Sequence, residues 1–405
     1  MSLLALCAVL LSGTGAAQAF PRFARAEGKP CGYCHINPGG GGKRNYRGLF
    51  YKKNNFTFAG FDDAAEANAA GVEIGPEPLP PPKSQTGGAA KPTGPKLSDT
   101  DRTRLSEAFV LADGVCDQVW PGWGQTPFAV LLVTPDTEFL IRHPKPTADF
   151  TKLGYDDQLK GDVYYRKRTL DTNLLATYPA VRGVSTVVIG QAENTAAKTS
   201  TAWVVTLLHE HFHQFQDTAY GMADRVKGLG LAKGDETGMW MLNYAFPYDD
   251  PKVGASFAAL SRPLGAAIAA KNSAERATNM AAFRKAEGLF VKGLKPDDAR
   301  YYQFQIWKEG VARYVEYRVA SAAAKSYKPS AAFTALPDAQ SFQKVADSLR
   351  SDMTAALAAP ALSTNKRVSF YSIGFGEALL LDSVARGWQS RYFDNPTMDP
   401  LWKTK

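Results

Sequence analysis

Histidine and cysteine are scarce in this chain: five and four residues respectively among 405. No apolar run approaches the roughly 20 residues needed to span a bilayer, which argues against a stable membrane span. No block of like charge is long enough for a nucleic-acid-binding arm. The net charge is +8, but it is scattered, with Lys43, Arg44, Arg47, Lys52 and Lys53 near the front and Arg166, Lys167 and Arg168 later. A composition poor in apolar residues is also absent. Hydrophobic residues make up 45% and charged residues 21%, which excludes disorder for the bulk of the chain. Length allows one large domain, or one large domain with a small appendage.

The first residues combine an apolar stretch, Leu3–Leu11, with small residues ending Ala17-Gln18-Ala19. They read as a signal peptide over 1–19 that lacks a basic start, with cleavage before Phe20. The expected location is therefore periplasmic or secreted. Cys7 leaves with the leader, so Cys31, Cys34 and Cys116 remain; one is unpaired, or two serve something other than a disulfide. Cys116 falls on an apolar helix face and reads as core. Residues 20–74 are Gly-rich, basic and aromatic. Residues 75–97 are rich in proline and small residues and read as a linker. From Ser98 to 405 the chain is patterned. A capped helix opens it at Ser98. FAVLLV and TEFLIR flank Thr134-Pro135-Asp136 as a hairpin. DVYYRKRTL and GVSTVVIG are further strands, the last expected at a sheet edge where an extended peptide can pair. Helices are expected at about 199–217, 253–271, 273–290, 298–324, 339–357 and 370–387. A small sheet followed by many helices is α+β.

Cys31-Gly32-Tyr33-Cys34-His35 is C-x-x-C-H, the attachment signature of haem c. Two thiols add to the haem vinyl groups and the adjacent histidine supplies an iron ligand. The alternatives are a local disulfide or half of a zinc site. The surrounding segment resembles small exported cytochrome c-like modules, which implies a haem-binding unit over 20–74 and, with it, a redox partner. Between His35 and His143 there is neither His nor Met. The sixth iron position is thus open, or falls to Lys, Tyr or a residue of the other domain.

The other three histidines lie in LLHEHFHQFQ, residues 207–216. His209-Glu210-His211-Phe212-His213 is H-E-x-x-H, preceded by the apolar TAWVVTLL. On a helix, His209 and His213 share one face and can hold one zinc. Glu210 can then take the proton of the attacking water, while His211 points away. A third ligand is needed. Trp307-Lys308-Glu309-Gly310-Val311-Ala312-Arg313-Tyr314-Val315-Glu316-Tyr317 resembles the ligand helix of gluzincin metallopeptidases of the aminopeptidase-N type. Tyr371-Ser372-Ile373-Gly374 is similar to that family's Tyr-x-x-Gly segment. The resemblance implies that Glu309 is the third zinc ligand and that Tyr371 donates to the oxyanion. Asp217, Glu236 and Glu316 stay open as alternative ligands, and Glu316 either orients a zinc-bound histidine or is a solvated charge. Gly190-Gln191-Ala192-Glu193-Asn194 faintly resembles the family's segment for a peptide amino terminus. It reads as a strand end, with Glu193 a lesser candidate for substrate contact. A departure from the family is that 95 residues separate His213 from Glu309, which calls for an insertion over the site.

The expectation is thus a zincin-like α+β domain over 98–405: a small antiparallel-edged sheet and a mostly helical catalytic part, with a haem-binding module in front. It would be a zinc-dependent peptidase acting on a peptide or protein substrate. The alternative is a haem-based redox or sensor protein whose zincin-like domain does not cleave. The oligomeric state is left open.

Overall fold

The computed structural model describes residues 29, 31–35, 44–54, 57–74, 94–235 and 238–402. The expected signal peptide, most of the expected linker and Glu236 lie outside them. The chain divides into two compact units between Lys91 and Pro92.

In the first unit, the C-x-x-C segment is one helical turn, α1 (Cys31–Cys34). It is followed by α2 (Tyr46–Lys53) and α3 (Asp63–Ala69). Asn45 caps α2 by accepting from the Gly48 amide at 3.1 Å, and Asp62 caps α3; each satisfies amides that a helix start leaves orphaned. Gly48 is required by packing: a Cβ there would sit 2.1 Å from the Cys34 carbonyl oxygen. The backbone of α2 therefore lies directly against the end of α1, and the Asn45 amide donates to that same carbonyl at 3.0 Å. Tyr33 is buried edge-on against Phe58. The Arg47 guanidinium covers its ring and pairs with Asp63 at 2.7 Å.

The second unit is α+β. Its one sheet has strands β1 (Val130–Val133), β2 (Thr137–Ile141), β3 (Thr151–Asp156), β4 (Gly161–Lys167), β5 (Leu175–Val181) and β6 (Val184–Gly190). They lie in the order β3-β4-β2-β1-β6-β5. Only β1 and β6 are parallel; every other pair is antiparallel. The β5–β6 turn is Arg182-Gly183, with φ of 48° and 70°. Left-handed backbone at both positions is the hairpin geometry that matches strand twist. β6 is consequently interior, between β1 and β5, and not the edge strand expected from its sequence. The edge on that side is β5.

Alternation along β1, β2 and β6 sends Val130, Leu132, Phe139, Ile141, Val187 and Ile189 to one face, toward the main core. Leu131, Val133, Leu140 and Val188 face a smaller cluster on the other side. Two-sided burial explains why VLLV reads as a continuous apolar run. Helix α4 (Asp99–Val119) is capped by Ser98, which accepts from the Asp101 amide. Leu97 is buried in the main core, so the expected linker ends before it: an apolar side chain at the helix entrance is worth more inside than extended in water.

The helical layer comprises α5 (Ser200–Thr218), α6 (Pro251–Ala269), α7 (Ser273–Gly293), α8 (Pro296–Gln305), α9 (Val311–Ser326), α10 (Phe342–Ala358) and α11 (Ser369–Val384). The helix expected over 298–324 is interrupted by a five-residue π turn, Ile306–Gly310. Helices α6 and α7 form a hairpin within the stretch between His213 and Glu309. The hairpin packs on α10 and α11 and puts Phe257, Leu260, Leu264, Phe283 and Phe290 into the core. The insertion is thus part of the scaffold. No helix among the described residues is long and apolar enough to cross a membrane.

One feature of this layer makes stability depend on pH. Glu287 on α7 and Glu377 on α11 are both buried. Arg284 pairs with Glu287 and Asp399, and the Trp402 indole N–H donates to Glu377. Burial raises both carboxyls above their ordinary range, and the neighbouring Glu287 charge raises Glu377 further. A proton held on Glu377 relieves the repulsion. A folded value above the unfolded one means stability is fully present below about pH 4.5 and is lost as pH rises through the folded value. Glu377→Gln keeps the shape without the proton. It is expected to match the parent at pH 5 and to exceed it by about 1–3 kcal/mol at pH 8, read from urea midpoints at the two pH values. Equal slopes in parent and variant would mean that Glu377 holds no proton.

Candidate metal centre

α5 carries the centre. Its first half, Trp203, Val204, Val205, Leu207 and Leu208, is fully buried, which fixes the helix in rotation and in height. The Trp203 indole N–H donates to the Gly190 carbonyl at 2.9 Å and ties the helix to the end of β6. With that face inward, His209, Glu210 and His213 come together, each offering a ligand atom within 4.8 Å of the others. His209 and His213 stand with ring centroids 4.9 Å apart. His211 faces elsewhere. It stacks on Phe128 with centroids 3.8 Å apart, meets Gln214 at 2.8 Å, and burial pulls its pKa down to about 4. It is a neutral core residue.

The π turn brings Glu309 to the same place. Its Oε2 lies 3.7 Å from His213 Nε2. Burial raises the Glu309 carboxyl, but the charges of His213, Arg367 and His209 outweigh this and hold it well below the usual range. A π turn shifts every later side chain by one position relative to an α-helix, and such turns concentrate at functional sites. The displaced carbonyls here have partners: Trp307 O accepts from the Tyr392 hydroxyl at 2.6 Å, and Lys308 O from Gln216 Nε2 at 3.0 Å.

That network also sets a tautomer. Gln216 Nε2 donates to Lys308 O and Tyr392, so its Oε1 is the acceptor facing His213 Nδ1 at 2.6 Å. His213 Nδ1 therefore carries a hydrogen, and Nε2 is the nitrogen on the Glu309 side. His209 Nδ1 lies 3.3 Å from Glu316 Oε2, within ion-pair range but off the line of a straight hydrogen bond, and it has no hydrogen-bond partner among the described residues. Glu316 is further engaged by Arg313 at 2.6 Å and by Thr206 at 3.1 Å. Burial raises its carboxyl and the Arg313 guanidinium more than compensates, leaving it at about 2. Glu316 thus backs a histidine from the outside. Asp217 is taken by Lys308 at 2.6 Å and Ser185 at 2.9 Å. Glu193 pairs with Arg104 at 2.8 Å.

Tyr371 is brought beside Glu309 by a backbone crossing. A Cβ on Gly310 would lie 2.5 Å from Gly374 Cα, and one on Gly374 would lie 2.1 Å from Ile306 O. The glycines of both motifs are there because α11 and the π turn touch main chain to main chain. Burial and the Glu309 charge keep the Tyr371 hydroxyl protonated far above its ordinary range, and Arg367 Nη1 donates to it. Glu210 is 6% exposed, and its Oε2 accepts from the Thr177 hydroxyl of β5 at 2.8 Å.

Four residues of this arrangement were not singled out from the sequence. Gln216, Arg313 and Arg367 stand three or four positions from His213, Glu316 and Tyr371, a helical spacing that marks them in retrospect. Thr177 carries no such mark, since it comes from a strand 33 positions from Glu210. In the first unit, Cys31, Cys34 and His35 follow one another across the end of α1, and His35 Nδ1 is buried without a hydrogen-bond partner among the described residues. Set against protein-family models, curated proteins and solved structures, the chain matches none.

Proposed function

We propose that the second unit is a zincin-like, zinc-dependent peptidase of gluzincin type, and that the first carries haem c. The observation that supports this best is the convergence of three separate segments on one spot. α5 supplies two histidines whose Nδ1 atoms are engaged or backed from behind, the π turn supplies Glu309, and α11 supplies Tyr371. Two imidazoles and a carboxylate are a donor set suited to zinc, with a position left for substrate. His209, His213 and Glu309 would hold it, and the His213–Glu309 ion pair is what a shared cation replaces.

Bound zinc supplies a Lewis acid that polarises the peptide carbonyl and makes an attacking water acidic. Glu210 takes the proton from that water on its carboxylate and returns it to the leaving amine, while Thr177 holds the carboxylate in place. Tyr371, protonated at any working pH, donates its O–H to the carbonyl oxygen as negative charge develops there. β5 is the open sheet edge on this side, and an extended peptide adds to it as a further strand. Pro179 lies in the β5 strand, and a proline has no N–H to give, so the pairing stretch is Leu175–Tyr178.

In the first unit Cys31 and Cys34 would attach haem and His35 would ligate its iron, supplying one-electron chemistry. Export fits both assignments.

The test is the metal content of the mature protein made in a host that attaches haem, together with cleavage of a mixed peptide library. One zinc and one iron per chain with cleavage is the expected result. Iron without zinc sinks the peptidase and favours a redox or sensor protein. Zinc without iron removes the haem and leaves the peptidase standing.

A further inference from the structure

We propose that Arg367 receives a free carboxylate of the substrate, so that this site removes residues from carboxyl ends of peptides. The proposal rests on the peptidase reading above. It comes from an account of the charges around the cluster. Glu316 is neutralised by Arg313 and Asp217 by Lys308, while the exposed Glu193 shares Arg104 with Asp101 and Asp338. A free amino terminus needs an uncommitted acid, and Glu316 and Asp217 are committed. Arg367 differs. Its Nη1 donates to the Tyr371 hydroxyl and lies 3.9 Å from Glu309 Oε1. Its Nε and Nη2 groups have no hydrogen-bond partner among the described residues. Its side chain is 23% exposed, so those donors face space that a ligand can enter. A guanidinium has five N–H donors in a fork that matches a carboxylate.

Two further observations mark this arginine. Lys366, just before it, has φ of 47° and ψ of −129°, a conformation that costs a non-glycine residue energy and is retained where it serves a site. The Lys366 side chain pairs with the exposed Asp249 and lies 5.9 Å from the Tyr248 ring centroid, and the strained turn leads directly into Arg367, whose Nη1 donates to Tyr371. The phenols of Tyr248 and Tyr301 also lie within the field of the guanidinium.

The probes are N-acetyl-phenylalanine and its carboxamide, titrated calorimetrically into the full chain with and without zinc, alongside cleavage of a peptide with a free or an amidated carboxyl end. The acid is expected to bind about ten- to a hundredfold tighter than the amide, the scale of a charge-assisted bidentate contact. Arg367→Gln should erase that preference with zinc content unchanged, and Arg367→Lys should restore part of it. Equal binding of acid and amide by the parent, or a preference that survives Arg367→Gln, overturns the proposal. So does an Arg367→Gln variant that cleaves free and amidated peptides equally less well, because Arg367 would then serve only the developing oxyanion. If zinc is bound, the acid is preferred and no peptide is cleaved, the peptidase reading fails and the carboxylate site stands.

Discussion

Glu210→Gln is expected to keep one zinc per chain and to lose peptide hydrolysis by about 10²–10⁴-fold, the usual contribution of a positioned general base. The substitution is narrow in its effect. A glutamine side-chain oxygen still accepts from Thr177, whose hydroxyl lies 2.8 Å from Glu210 Oε2, so the helix and the strand stay together. What is lost is the capacity to take a proton and give it back. No neighbour substitutes readily: His211 is stacked on Phe128 and tied to Gln214, and Glu316 faces His209 and Arg313. Turnover of a cleaved peptide, with zinc measured on the same preparation, checks it. A variant retaining a tenth of parental activity would take Glu210 out of the proton transfer. A variant that loses zinc as well would make Glu210 a ligand.

Gly374→Ala should be the most damaging single methyl at the candidate site. The added Cβ would sit 2.1 Å from Ile306 O and 2.8 Å from Gly310 Cα. Both are backbone atoms, so no side-chain rotation relieves the clash; α11 must move off the π turn. Overpacking of this kind costs about 1–3 kcal/mol and sometimes more. The displacement also separates Tyr371 from Glu309, so activity should fall further than stability explains. Urea unfolding and peptide turnover at a temperature where the variant is fully folded separate the two effects. Gly114→Ala is the control: its Cβ would meet only Tyr327 Cδ2, at an ordinary 3.7 Å, and should be tolerated.

The α5 helix, its H-E-x-x-H face, the hairpin of β1 and β2 and the α+β class are legible because each is a local or periodic property. An apolar repeat of 3.6 or 2 is written in adjacent residues. Two strands escape that reading. TKLGYD in β3 is broken by Gly154, and LATYPAV in β5 contains Pro179, so neither has the unbroken β-branched character of GVSTVVIG. GVSTVVIG, expected at the edge, is interior because it pairs with both β1 and β5, and the weaker β5 takes the edge beside α5. The interruption of the helix at Ile306–Gly310 is equally silent, since a single-residue slip barely disturbs an apolar stripe.

By itself, then, the sequence determined the long helices of the second unit, which residues could bear ligand chemistry and where two candidate cofactor motifs lie. Tertiary structure alone decided that Glu309 meets His213 across 95 intervening residues, that Gly310 meets Gly374, and that Arg367 is the cation beside Tyr371. The physical reason is that these contacts are made by packing between elements distant in the chain. Their energy comes from apolar burial and from backbone approach at two glycines, and neither leaves a pattern in neighbouring residues.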